Sequence, residues 1–410
     1  MRVLLAHGGL QHAARLAEEL ERRGCLGAFW SGAAIREGSL WERLGGWFVP
    51  DATSRRRIRG SLAPGVRGGP WVDLLAVAAQ RLGVDYQRAM HVRSAVFQRL
   101  IPWRALAEAD AVIGFDTSSW MLARRCREMG KPFLLDQSIA HPAERQRVFE
   151  ALARTHPDWS ETWMTRRPEV LAAEAEEHCL ADRVVVASAF TKSTLVNNGV
   201  DPGKIRVNPY GVDIARFQGR PRSSASGPVR FIFVGSLLAR KGVPFLIDAW
   251  RRLASRDAAL WLIGPVAPQV RRLIPDLPGL RVQGPVPHAE LPGLFSECDV
   301  FVFPSLFEGF GLVILEAMAC GLPVITTEAT AGPDVMTDGR EGFLVPSGDV
   351  DALEAKMRWC LENRERLPEM GRAAQTTAER FTWEAYGDRW KAILNEAVAE
   401  FGLRSSEIGN

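Results

Sequence analysis

Between Val300 and Thr326 the chain passes from a short apolar run, through a glycine-bearing loop, into an apolar helical stretch and then a second apolar run. Val300 to Phe303 is too short for a helix and reads as a buried strand. The helix that follows is apolar on every side, with Gly321 placed to stop it. Pro323 opens a second buried strand. Strand, crossover helix and strand together call for a sheet covered on both faces. Two carboxylates punctuate the unit. Glu308 sits in the loop at the helix mouth, and Glu316 lies about a turn and a half inside the helix. Between them Gly309, Phe310, Gly311 and Leu312 can offer unpaired backbone N–H groups, which suit anions and hydroxyls. Acceptor carboxylates beside N–H donors suit a sugar joined to phosphates.

Two plainer readings compete. A lone glutamate is usually solvated surface charge. Glu316, however, falls between Leu312-Val313-Ile314-Leu315 and Ala317-Met318-Ala319, where a carboxylate without partners is costly. A dinucleotide fingerprint also begins Gly-x-Gly before a helix. Here the third glycine position is Ile314, and Pro304 to Glu308 separate the strand from Gly309 where that fingerprint wants a tight turn.

The rest of the chain repeats the alternation of strand and helix. Arg2–Ala6, Ala111–Phe115, Pro132–Leu135 and Arg183–Ala187 read as strands of a first parallel sheet, and Gln11–Arg23 and Trp120–Met129 as helices covering it. The pattern restarts with strands at Arg230–Val234, Ala259–Ile263, Gly279–Gln283, Val300–Phe303 and Pro323–Thr326. A Pro/Ser/Gly-rich linker, Arg220 to Pro228, precedes the restart. The 410 residues are enough for two domains of about 200 each. Doubly wound halves imply a cleft, with ligands beyond the carboxyl ends of the strands.

Six scattered cysteines, with no Cys-x-x-Cys pair, read as buried free thiols. No secretory leader and no apolar run of membrane-spanning length is visible, so a cytoplasmic protein is expected. A net charge of +3 argues against nucleic acid as the main partner. Charge is nonetheless uneven. Between Asp51 and Glu108 lie Arg55, Arg56, Arg57, Arg59, Arg67, Arg81, Arg88, Arg93, Arg99 and Arg104, opposed only by Asp73 and Asp85, with Trp71 and Trp103 interleaved. That stretch is either a solvated surface or a face for anionic lipid or a pyrophosphate-linked lipid acceptor, with peripheral contact at the inner membrane face.

The Glu308-to-Glu316 segment resembles the Glu-x7-Glu signature of GT-B glycosyltransferases of family 4 (group 1), which are retaining enzymes using nucleotide-sugar donors. An ordered series of motifs extends the resemblance: Phe231 to Ser236 with Arg240-Lys241-Gly242, Gly284 to Pro287, Asp299 to Val302 with Pro304-Ser305, and Asp338 to Gly342. Ala187 to Thr191 and Pro209 to Asp213 with Phe217 are similar to the family's interdomain segment. The resemblance implies an α/β fold of two doubly wound Rossmann-like domains facing across a cleft. Residues 1–215 would bind acceptor, 216–382 would bind nucleotide sugar, and a helix within 383–410 would cross back onto the first domain.

It also implies roles. Lys241 and, less cleanly, Arg240 would neutralise the leaving diphosphate, because Ser236 stands where many members carry arginine. Gly235 and Ser236 would give N–H contacts to phosphate, and Val286 would border the base. Glu316 would accept the ribose hydroxyls. Glu308, with the amides of Gly309, Phe310, Gly311 and Leu312, would meet the donor sugar. Catalytic work is expected of Glu308, His141 and Lys241. On the acceptor side Gly8, Gly9 and His12 resemble the family's first glycine loop, and His141 and Asp116 would lie near the reacting centre. The glycines are equally suited to a tight turn, and a lone histidine to a structural place. No cofactor and no metal is expected. The reading is a retaining transferase acting on a nucleotide-diphosphate sugar and a glycan or lipid-linked acceptor. The alternatives are a nucleotide-sugar epimerase of the same fold and a non-catalytic binding protein.

Overall fold

The computed structural model describes residues 1–39, 41–43, 56–58, 60–162, 166–219 and 227–408. Two parallel sheets organise the chain. The first has seven strands in the order Val66–Gly68, Leu26–Ser31, Val3–His7, Ala111–Phe115, Phe133–Gln137, Arg183–Val186, Ile205–Val207. The second has six, in the order Leu280–Gln283, Ala258–Ile263, Val229–Val234, Val300–Phe303, Val324–Thr327, Gly342–Val345. Every adjacent pair in both sheets is parallel. Central strands such as Val3–His7, Ala111–Phe115 and Val300–Phe303 are buried throughout, which is why they read as unbroken apolar runs.

Six strands escaped the sequence reading: the two-residue pair Ile35–Arg36 and Arg57–Ile58, which forms a small sheet of its own, and Leu26–Ser31, Val66–Gly68, Ile205–Val207 and Gly342–Val345. Two are only three residues long. Leu26–Ser31 carries a glycine and alternates in burial, so neither a continuous nor a clean period-two pattern marks it. The expected linker lies largely outside the described residues, as do Arg55 and Arg59 of the basic stretch.

The two halves share one continuous apolar core. It runs from Leu5 and Leu16 through Tyr210, Tyr386 and Trp390 to Phe231 and Phe301. The helix Trp383–Ile408 closes the chain back onto the first half. There Arg23 donates to Asp388 at 2.8 Å and to the Glu384 carbonyl at 2.6 Å, and Arg206 pairs with Glu396. Five cysteines are buried as expected, but Cys179 is exposed. Among the described residues no helix is long and apolar enough to cross a membrane.

Candidate active site

A cleft of about 680 Å³ lies between the halves, at the carboxyl ends of both sets of strands. His7 ends one strand, Gly235 follows another and Phe303 ends a third, and all three line it. Such a crevice is where open α/β sheets take ligands.

The second-half wall is built around Glu308. A 3-10 turn, Ala239–Lys241, carries two cations to this wall and stops at Gly242. Gly242 has φ +74°, and a Cβ there would lie 1.9 Å from the Pro304 carbonyl oxygen, so only glycine lets this turn touch the Glu308 loop. Lys241 Nζ pairs with Glu308 Oε1, Arg240 reaches the same oxygen at 3.1 Å, and Ser305 Oγ donates to it at 2.9 Å. Burial penalises the Glu308 carboxylate, yet the charges of Lys241 and Arg240 outweigh it and hold its pKa below the ordinary value. Burial pushes the Lys241 ammonium down.

Beyond Glu308 the helix Leu312–Ala319 begins at Gly311 in the left-handed conformation. The Glu308 N–H is taken by the Ala329 carbonyl. Among the described residues no acceptor meets the N–H groups of Gly309, Phe310, Gly311 and Leu312, and all four residues line the cleft. Four free amides, a helix mouth and a lysine make a seat for a polyanion. Farther in, Glu316 lines the cleft and lies 2.8 Å from Nε2 of His288.

The first-half wall presents His7, Gln11, His12, Asp116, Thr117 and Ser138. Burial first, with His12 and Arg93 adding to it, pushes His7 down to about 3, and its Nδ1 accepts the Gly9 N–H at 2.7 Å. His12 sits between Asp136 at 3.1 Å and the Tyr210 hydroxyl at 3.2 Å. Asp116 accepts the Ser138 N–H, and burial raises its pKa. Gln11 and Thr117 have φ of +37° and +62°. Buried Glu177 holds the second of these by accepting the N–H groups of Thr117 and Ser119 at 2.8 and 2.7 Å. Strain of this kind persists where the surroundings over-determine it, commonly at functional sites.

Several sequence-predicted residues stand elsewhere. His141 caps the helix Pro142–Thr155, its Nδ1 accepting the Ala143 N–H at 3.2 Å, and it lines a neighbouring cavity. Gly9 lines an adjoining cavity, while a Cβ on Gly8 would lie 3.5 Å from Arg93 and from Ser118. Gly235 borders the cleft but donates its N–H to the Ile263 carbonyl, so that group is not free for phosphate. Ser236, Arg240 and Val286 do not line the cleft, and His288 and Leu291 stand there instead. The basic stretch is less unopposed than its interval implied. Arg57 pairs with Glu37 and Glu42, and Arg104 with Glu108, all outside the span between Asp51 and Glu108 or at its end.

The sequence reading did not place Arg93, Arg166, Tyr210 or His288 in the cleft. Tyr210 lay within the interdomain motif and Arg93 within the basic stretch, so a signal existed for both. Arg166 and His288 are single polar residues without local pattern.

This fold and cleft define a GT-B glycosyltransferase architecture. The family described as Glycosyl transferases group 1 matches residues 228–363. The MMP alpha-(1->4)-mannosyltransferase of Mycolicibacterium hassiacum is 31% identical over 289 residues, covering 66% of this chain and 67% of that protein. The putative colanic acid biosynthesis glycosyltransferase WcaL of Salmonella typhimurium is 28% identical over 287 residues, covering 63% and 69%. Among solved structures, sucrose-phosphate synthase from Thermosynechococcus elongatus superposes with a TM-score of 0.65 at 19% identity, covering 98% of this chain and all of that one. HepE from Anabaena, solved with UDP, gives 0.61 at 18% identity over 97% of this chain and all of that one. The chain belongs to the group 1 glycosyltransferases.

Proposed function

We propose that this glycosyltransferase is a retaining enzyme of family 4. It moves a sugar from a nucleotide-diphosphate donor to a glycan or lipid-linked acceptor during synthesis of bacterial surface polysaccharide or glycolipid. One observation carries the reading: four unpaired amides at a helix mouth, beside Lys241, face a cleft between two sheets. Breaking the glycosyl–diphosphate bond develops negative charge on phosphate oxygens, and preorganised N–H dipoles and an ammonium stabilise it.

Glu308 is already bonded by Lys241, Arg240 and Ser305, so it orients cations and sugar hydroxyls rather than attacking carbon. The departing diphosphate takes the acceptor proton on the same face, which preserves anomeric configuration. Lys241 and the amides take the part a metal plays elsewhere, so transfer is metal-independent. Glu316 receives the ribose hydroxyls, and Asp116 and His12 border the acceptor. Residues 1–215 form the acceptor domain and 216–382 the donor domain, with 383–410 bracing them. The names of WcaL and the mannosyltransferase support sugar transfer and, for WcaL, a polysaccharide product, and the UDP held by HepE supports a nucleotide donor.

The test is a panel of UDP-, GDP- and ADP-sugars with chelator present, scored by ligand-induced stabilisation and by NMR of the product anomer. Donor binding with an anomer matching the donor is expected. An inverted product would overturn the retaining assignment, and failure of every nucleotide to bind would overturn the donor site.

A further inference from the structure

Three guanidinium groups gather beside the candidate active site with too little negative charge to balance them. A cavity of about 670 Å³ adjoins the cleft, and Arg93 and Arg166 line both spaces. Arg145 lines this second cavity but not the cleft. Arg93 leans on Asp73 at 2.9 Å, and Asp73 is already shared with Arg56 at 2.7 Å. Arg166 has Glu174 at 3.7 Å, too far for a hydrogen bond. Burial raises Glu174 to about 7, so its charge is only partly available. Arg145 makes no side-chain hydrogen bond or ion pair among the described residues and lies over the Phe149 ring at 5.2 Å. The buried Nε atoms of Arg93, Arg145 and Arg166 all lack acceptors.

Burial, then repulsion from Arg166 and Arg240, pushes Arg145 down to about 10. A half-buried guanidinium with no acid partner among the described residues is a favourable site for an anion. The donor diphosphate has its own seat at the helix mouth. The cavity around Arg145 lies on the first-half side, and half-exposed Tyr86 stands at its edge.

We infer that the acceptor carries a phosphate or pyrophosphate group, and that Arg93, Arg145 and Arg166 grip it in this second cavity. The inference rests on the transferase reading and adds the chemical class of its acceptor. Planar guanidinium forks match phosphate oxygens, and binding there would relieve the mutual repulsion of the cluster. The anchored phosphate would hold the acceptor hydroxyl towards the cleft, since Arg166 and Arg93 belong to both spaces.

Titration calorimetry on the full chain tests this. The probes are inorganic phosphate, glucose 6-phosphate and farnesyl pyrophosphate, each with and without saturating UDP or GDP. At least one phosphate probe should bind alongside the nucleotide, and Arg145→Gln should weaken it about tenfold or more. Arg145→Lys, which keeps the charge and loses the fork, should fall between. Tighter binding of glucose 6-phosphate assigns a soluble acceptor, and tighter binding of farnesyl pyrophosphate a lipid-linked one. The inference fails if no phosphate probe binds, if nucleotide displaces every probe, or if affinity ignores Arg145. Nucleotide binding is read separately, so a parent protein that binds nucleotide but no phosphate probe sinks this inference alone.

Discussion

The Ser188 hydroxyl donates to the Gly309 carbonyl at 2.7 Å, joining the first half of the molecule to the donor loop of the second. Thr191 Oγ1 adds a second bond to the same carbonyl at 3.1 Å. The Gly309 carbonyl is thus held by the first half, while the N–H groups of Phe310, Gly311 and Leu312 that follow it have no acceptor among the described residues. Loop orientation is therefore set from across the interface.

That contact yields the first prediction. A Cβ on Gly309 would lie 1.9 Å from the Ser138 carbonyl oxygen. Gly309→Ala should hold the halves apart and lower kcat by about a hundredfold, because small misplacements near reacting atoms are that costly. Ser188→Ala removes the bond to Gly309 and the N-cap bond from the Thr191 N–H, each worth about 1 kcal/mol, and should lower kcat only a few-fold while reducing stability. Steady-state kinetics on both variants, with thermal unfolding to confirm folding, would expose the idea as wrong if Gly309→Ala kept full activity.

Lys241 faces both Glu308 and the proposed diphosphate. Lys241→Met should lower kcat by about 10²- to 10³-fold, the usual cost of removing one donor to a developing oxyanion. It also leaves Glu308 with Arg240 as its one remaining cation among the described residues and Ser305 as a hydroxyl donor, so the melting temperature should drop. Lys241→Arg should recover part of the rate. Equal rates for the Met and Arg variants would show that charge at this point is irrelevant.

Glu316 lines the cleft next to half-exposed His288. Glu316→Gln loses charge-assisted bonds to ribose worth about 1.5–3 kcal/mol, so nucleoside diphosphate affinity should fall by about tenfold or more. Pyrophosphate, which has no ribose, should bind the variant as it binds the parent. Calorimetry with the two ligands separates the outcomes, and equal weakening of both would remove the ribose role.

His7 gives a prediction in pH. An unfolded histidine titrates near 6.5, whereas native His7 is held to about 3 by burial and by His12 and Arg93. A depressed base adds stability that is fully present above pH 6.5 and is lost as pH falls towards 3, because only the unfolded chain takes the proton. The loss is about 1.4 kcal/mol per pH unit. His178, pushed down to about 4 mainly by burial, acts in the same direction. Urea unfolding at pH 7.5, 5.5 and 4.5 should show a shallower acid decline in His7→Gln than in the parent. Identical slopes would mean that His7 does not resist protonation.

The second half was the more legible one. Val300–Phe303, the apolar helix and its glycine stop were readable because burial on every side produces unbroken apolar runs with sharp punctuation. Glu308 and Glu316 belong to that unit, so their places at the helix mouth and within the helix followed from local geometry, whereas Lys241 meets Glu308 across 67 positions of sequence and only the fold joins them. The short strand Val66–Gly68 gave no such signal, because three residues at a sheet edge need no periodic pattern. His141 was legible only as a residue after a strand, and the same position serves equally well for a helix cap.

Local order in the chain dictated two alternating strand–helix halves, the glycine-bearing helix mouth and the carboxylates beside it, since backbone geometry and burial period act over a few residues. Folding alone brought Arg93, Arg145 and Arg166 to one cavity and turned His141 away from the cleft. Those placements depend on how separate elements pack and where their side chains meet, and nothing in a short stretch of sequence encodes a contact between residues fifty or seventy positions apart.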